Sequence, residues 1–272
     1  MNNLYLFYIA LFFYTISTTC YLFYLAVNKK LIEKSGHYFL TAGFLIHFLA
    51  TLLRYFKAGY TPITNTYEAL SFFSLCVAFF FLYIKRIYRM DMLGSIFLPV
   101  ITIILVMAFA FPTEIKPLPP MLNSWWLPIH AIFSFIGCSI FLVGFFVAFV
   151  YLMVEKKIKK KQFSFASARF PSLETLDSIN YCCISYGFIF LTIGIITGSL
   201  WASTTWGSYW SWDPKETWSL VTWIVYAILI HNRLTIGWRG RKTAYMMIIG
   251  FFSILIAFFG VNFLLGGQHL FI

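Results

Sequence analysis

"LPIHAIFSFIGCSIFLVGFFVAFVYLMVEKKIKKK", Leu127–Lys161, decides the fold class. From Leu127 to Val154 it holds no Asp, Glu, Lys or Arg. That exceeds the roughly 20 apolar residues needed to cross the hydrocarbon core of a bilayer. The five lysines of "EKKIKKK" (155–161) then read as an anchor that holds this end on the cytoplasmic face.

The rest of the chain repeats the pattern. Apolar spans lie at 4–27, 38–57, 68–87, 93–111, 127–154, 179–200, 218–233 and 244–265. Span 218–233 is short and span 93–111 contains Pro99, which a membrane helix tolerates as a kink. Span 4–27 lacks the basic start and small-residue cleavage site of a secretory signal. The 272 residues are 61% hydrophobic and only 11% charged, against about a quarter charged in soluble domains. No stretch has the polarity of a soluble domain, so the expectation is one all-α, polytopic membrane domain over 1–272 with about eight transmembrane helices.

Charge gives the orientation. Sixteen of the 20 Lys and Arg fall in four alternate connections, 28–37, 85–92, 155–178 and 232–243. Basic connections face the cytoplasm, or the stroma in a plastid. Both termini are therefore expected outside, with connections 58–67, 112–126 and 201–217. The +11 net charge is accounted for by this topology and by anionic membrane lipid, with no call for nucleic acid. The five cysteines, Cys20, Cys76, Cys138, Cys182 and Cys183, form no C-x-x-C and read as small packing residues.

The chemistry lies in the histidines and tryptophans. His130 and His269 fall at outer ends of spans. His47 lies well inside the bilayer and His231 near the inner end of its span, while His37 sits at a basic connection. A polar side chain within hydrocarbon is costly and usually functional. Five of nine tryptophans lie from Trp201 to Trp218, in the outer connection that carries "WGSYWSWDPKETW" (206–218). An interfacial aromatic belt explains one or two of them. Trp206, Tyr209, Trp210 and Asp213 recur at helical spacing, so a short helix or turn is expected there. Flat π-faces suit a flat apolar ligand, and a porphyrin is one whose iron takes histidine axially. Asp213, Pro214 and Glu216 fit the N-cap, N1 and N3 positions of the next helix, and Asn65 and Glu68 fit the start of span 68–87. Arg54 and Lys57 read equally well as topological anchors or as partners for haem propionates.

These stretches carry a resemblance. "WGSYWSWDPKETW", "GYTPITNTYEAL" (59–70), "LPIHAIFSF" (127–135), "HNR" with "GWRGRK" (231–242) and "GVNFLLGGQH" (260–269) resemble the System II cytochrome c biogenesis proteins of CcsA/ResC type, with their tryptophan-rich WWD motif. The likeness covers roughly residues 40–272. Tyr60 stands where relatives often have histidine. The resemblance implies transport of haem b across the membrane and its presentation to apocytochrome c, as a component of a cytochrome c synthase (haem lyase). It implies His130 and His269 as axial ligands outside, with Trp206, Trp210, Trp212 and Trp218 beside the haem, and His47 and His231 as ligands within the membrane. Implied partners are a Ccs1/ResB-type membrane protein, apocytochrome c with its C-x-x-C-H, and thioredoxin-like thiol reductants. The implied location is a bacterial cytoplasmic (inner) membrane, or a thylakoid membrane if the chain is plastid-encoded. A b-type haem electron-transfer subunit and a System I-like haem exporter are the alternatives.

Overall fold

The computed structural model describes residues 3–88, 90–161 and 170–258, and every regular element among them is helical. The helices are α1 (Asn3–Val27), α2 (Lys30–Ala58), α3 (Thr66–Tyr88), α4 (Gly94–Ala108), α5 (Trp126–Lys159), α6 (Leu173–Trp206), α7 (Pro214–His231) and α8 (Arg241–Leu255). A π-helical turn, Asn232–Ile236, prolongs α7. Counting such extensions, the described residues hold 8 helices long and apolar enough to cross a membrane, one for each expected span.

The basic connections are much shorter than hydropathy suggested. Connection 28–37 reduces to Asn28 and Lys29, because α2 already begins at Lys30. Helix α5 likewise continues through the lysine run to Lys159. Hydropathy marks the depth of hydrocarbon. Backbone hydrogen bonding continues into the headgroup layer, where Lys and Glu are at home.

The helices group into two compact units, Met1–Leu118 and Pro119–Ile272, within the span read as one domain. In the first, α1 packs on α2 and α4, and α3 packs on α4. Gly43 of α2 lets α1 come close, since a Cβ there would lie 2.9 Å from the Tyr14 ring. At one end Lys85 of α3 pairs with Glu33 of α2, and Lys30 pairs with Asp91. These bonds hold the first two basic connections together, as expected if both lie on one side of the membrane.

The opposite end of this unit is tied by Arg54, which is 2% exposed. Its Nε donates to Glu68 Oε1 at 2.8 Å, and its Nη1 to the Thr113 carbonyl at 3.0 Å. Its guanidinium lies over the Tyr67 ring, 5.0 Å from the centroid. Arg54 is thus neither a solvated anchor nor open to a propionate, because a carboxylate of its own chain already fills that role. Glu68 Oε2 also accepts from the Thr64 backbone N–H (3.0 Å) and hydroxyl (2.9 Å), while Asn65 Oδ1 caps α3 by accepting from the Glu68 N–H at 2.9 Å.

The second unit is built on the antiparallel pair α5–α6, with α8 against α5 and α7 against α6 and α8. Along that pair His130 faces Gly198, Ser134 faces Gly194, Gly137 faces Leu191, Phe141 faces Gly187 and Gly144 faces Cys183. A small residue at most of these levels lets the backbones approach, the usual way helices associate where no hydrophobic effect drives them. At one end Arg233 grips Asp177 through both carboxylate oxygens (3.0 and 2.8 Å), and the Gly240 N–H donates to Asp177 Oδ1 at 2.7 Å. The third and fourth basic connections therefore share an end, as the first and second do.

Arg54 supplies a stability test. Removing one partner of a buried ion pair leaves an uncompensated charge, at a cost of about 3–5 kcal/mol. Arg54→Ala is expected to lose that much in thermal denaturation in detergent. Arg54→Met combined with Glu68→Gln, which neutralises both partners, is expected to lose clearly less.

Candidate functional site

Helix α6 stops where a glycine makes stopping easy. Gly207 adopts φ 76°, and its N–H bonds the Ser203 carbonyl at 3.1 Å. Of the short helix or turn expected over 206–213, no helix forms beyond Trp206: residues 208–213 make an irregular bend, and Trp212 takes φ 59°. A left-handed backbone is uncommon for a residue with a Cβ, so something must hold it. Glu216 does so. Its Oε2 accepts from the Ser211 N–H (2.7 Å), the Ser211 hydroxyl (3.2 Å) and the Asp213 N–H (3.3 Å), closing the bend on both sides of Trp212. Asp213 Oδ1 accepts from the Lys215 N–H at 2.9 Å, and Pro214 opens α7, so the capping box expected here forms.

The tryptophans then divide. Trp201 is 1% exposed and belongs to the bundle, with the Trp206 ring edge-on to it at 5.1 Å. Trp206, Trp210 and Trp218 are half-buried. Trp212 is 69% exposed, Tyr209 is also exposed, and Trp125 at the foot of α5 is 89% exposed. This end of the unit is therefore rich in uncovered aromatic faces, and Glu216 clamps the backbone that presents Trp212.

His130 lies at the same end, one turn into α5. Its Nδ1 is 2.7 Å from the Gly194 carbonyl oxygen of α6. A carbonyl only accepts, so Nδ1 carries the proton and the lone pair of the neutral ring sits on Nε2. The ring lies nearly parallel to Trp201, with centroids 6.2 Å apart at 18°. An imidazole in this tautomer, at the same end of the unit as the open aromatic faces, fits a porphyrin with a nitrogen ligand. Among the described residues no group of three His, Cys, Asp or Glu forms an ordinary metal site.

The other histidines are placed differently. His231 is the last residue of α7, exposed, at the opposite end of its unit from His130. His47, in the first unit, is fully buried, with Nε2 2.9 Å from the Ser71 hydroxyl and Nδ1 3.3 Å from the Tyr14 hydroxyl. His269, with the "GVNFLLGGQH" segment, lies outside the described residues. Tyr60 donates its hydroxyl to the Lys116 carbonyl at 2.8 Å, and burial pushes that hydroxyl above the ordinary tyrosine range.

Comparison with known proteins is consistent with this geometry. A family model described as cytochrome C assembly protein matches residues 63–269. The chain belongs to the cytochrome c assembly protein family. It is 38% identical over 235 residues to the cytochrome c biogenesis protein CcsA of Guillardia theta, covering 79% of this chain and 78% of that one. It is 37% identical over 249 residues to the CcsA of Prochlorococcus marinus (strain NATL1A), covering 80% and 78%. Among solved structures, the cytochrome c haem lyase CcmF has the same fold (TM-score 0.65, 17% identity), the match covering 94% of this chain and 46% of that one.

The clamp at the start of α7 is directly testable. Asp213→Ala should cost about 0.5–2 kcal/mol, the usual range for a lost helix cap. Glu216→Ala removes three hydrogen bonds at once and should cost more. Thermal denaturation followed by tryptophan fluorescence measures both.

Proposed function

We propose that this chain carries haem b across the membrane and presents it on the outer face for covalent attachment to apocytochrome c, as the haem-handling component of a cytochrome c synthase. The observation that carries the reading is His130, held with its lone pair on Nε2 against buried Trp201, at the end of its unit that also carries the exposed aromatic faces. Membership of the cytochrome c assembly family and the shared fold with a haem lyase support it.

In this reading haem is the cargo. His130 and His269 would supply ligands to its iron, and Trp206, Trp210, Trp212 and Trp218 would line the porphyrin. Trp212 offers the most open face, and Glu216 fixes where that face points. Each thiol of the apocytochrome C-x-x-C-H adds S–H across a haem vinyl group, the sulfur bonding one carbon and the hydrogen the other. The cysteines must arrive reduced, which calls for thioredoxin-like thiol reductants. The outer connections are short, so a Ccs1/ResB-type membrane protein would hold the apocytochrome. His231, exposed at the inner end of α7, would meet haem early. His47 would take it only after Ser71 or Tyr14 releases a ring nitrogen.

Two experiments test the proposal. Reporters active only in the cytoplasm should work when fused after residues 90, 160 and 240 and fail after residue 210; activity after residue 210 removes the outer site. His130→Ala and His269→Ala should each abolish cytochrome c maturation, and imidazole in the medium should partly restore it by occupying the vacated coordination position. Normal cytochrome c in both variants refutes the ligand assignment. A parallel His47→Ala variant should lower outer haem yet respond less to imidazole, because its site is enclosed.

A further inference from the structure

We infer that a patch of α6, formed by Gly194, Gly198 and Trp201, is the positioning device for the His130 ligand. The inference rests on reading His130 as a haem ligand and assigns that ligand's orientation to three residues of α6.

The geometry is specific. The Gly194 carbonyl oxygen accepts a hydrogen bond from His130 Nδ1–H, with N and O 2.7 Å apart, which selects the tautomer with its lone pair on Nε2. Metal-bound histidines commonly donate their second nitrogen in this way, and the bond fixes ring orientation and raises ligand basicity. The same carbonyl also accepts from the Thr197 hydroxyl at 3.1 Å. Gly198, one turn further along α6, makes room for the ring: a Cβ there would lie 2.6 Å from His130 Nδ1 and 2.8 Å from Cε1. Trp201 completes the patch as a nearly parallel wall, 6.2 Å from the imidazole centroid and itself 1% exposed.

Glycine at 198 is not needed for backbone conformation. It lies inside a regular helix, where alanine is the better helix former. What glycine provides is the absence of a Cβ where the imidazole sits. The nearest clash of an added methyl is with side-chain atoms of His130, so the least costly response is for that ring to turn away. Gly198→Ala is therefore expected to leave the bundle folded and to displace the ligand.

The full chain, purified in detergent, is compared as wild type, His130→Ala, Gly198→Ala, Trp201→Leu, Trp201→Phe and Ile196→Ala. Ile196 is an exposed α6 residue and serves as control. Bound haem per protein comes from the pyridine haemochrome assay, ligation from the Soret and α/β bands, and affinity from haemin titration. Gly198→Ala should weaken haem binding about 10- to 100-fold, the usual cost of disturbing a partner that orients a metal ligand. Its spectrum should move toward that of His130→Ala, and imidazole should restore the wild-type bands in both. Trp201→Leu should lower occupancy and Trp201→Phe should recover it, while Ile196→Ala matches wild type. Should His130→Ala lose haem while Gly198→Ala and Trp201→Leu keep wild-type occupancy and bands, the positioning role is overturned and the ligand reading stands. Wild-type haem and bands in His130→Ala overturn both.

Discussion

Hydrocarbon offers no hydrogen-bond partner, and the polar groups of this chain are arranged around that constraint. Each backbone closes its own bonds as helix, which leaves the side chains to be satisfied one by one. Arg54 does this with Glu68 and two carbonyls, Lys85 with Glu33, and His47 with Ser71 and Tyr14. The longer-range consequence is that charge settles at helix ends. Arg233, Asp177 and the Gly240 N–H tie the connections of the second unit, and Lys30 and Lys85 with Glu33 and Asp91 tie those of the first. These pairs set which helices begin and end together.

Within the second unit the same constraint acts through size. Helices in lipid gain little from burying apolar surface against one another, so contact depends on close fit. The α5–α6 pair achieves it with small residues at successive levels, Gly144, Gly187, Gly137, Gly194 and Gly198. At the outermost level the groove made by Gly198 is filled by an imidazole from the facing helix. Packing and the placing of the imidazole are therefore one feature: the close approach that binds the two helices also brings the Gly194 carbonyl within reach of His130 Nδ1.

The loop after α6 solves a different problem, how to expose large apolar rings without letting them collapse onto the bundle. Gly207 ends the helix, Trp212 is held in a left-handed backbone, and one carboxylate oxygen of Glu216 gathers the donors on both sides. Trp201 and Trp206 pack inward while Trp212 and Tyr209 stay open. A loop built this way has its aromatic faces already ordered, which in the proposed function would lower the ordering cost of binding a flat molecule.

Sequence alone determined the class and the spans, because the hydrocarbon core tests each segment separately for length and polarity. It also determined the capping of α7, since Asp213, Pro214 and Glu216 act within one turn of each other. The pairing of basic connections was legible for the same reason: each stretch rich in Lys and Arg carries its own preference for one side. Only the tertiary structure decided which tryptophans face out, because an extended α6 and an irregular bend with a left-handed Trp212 stand where the spacing suggested a short helix or turn. It alone made Arg54, which the sequence left as an anchor or a propionate partner, a buried clasp, through a glutamate 14 residues away and carbonyls 59 and 60 residues away. It alone joined His130 to Gly194, Gly198 and Trp201. Those contacts follow from the register of two antiparallel helices, set by fit along their whole length and encoded in no local stretch of chain.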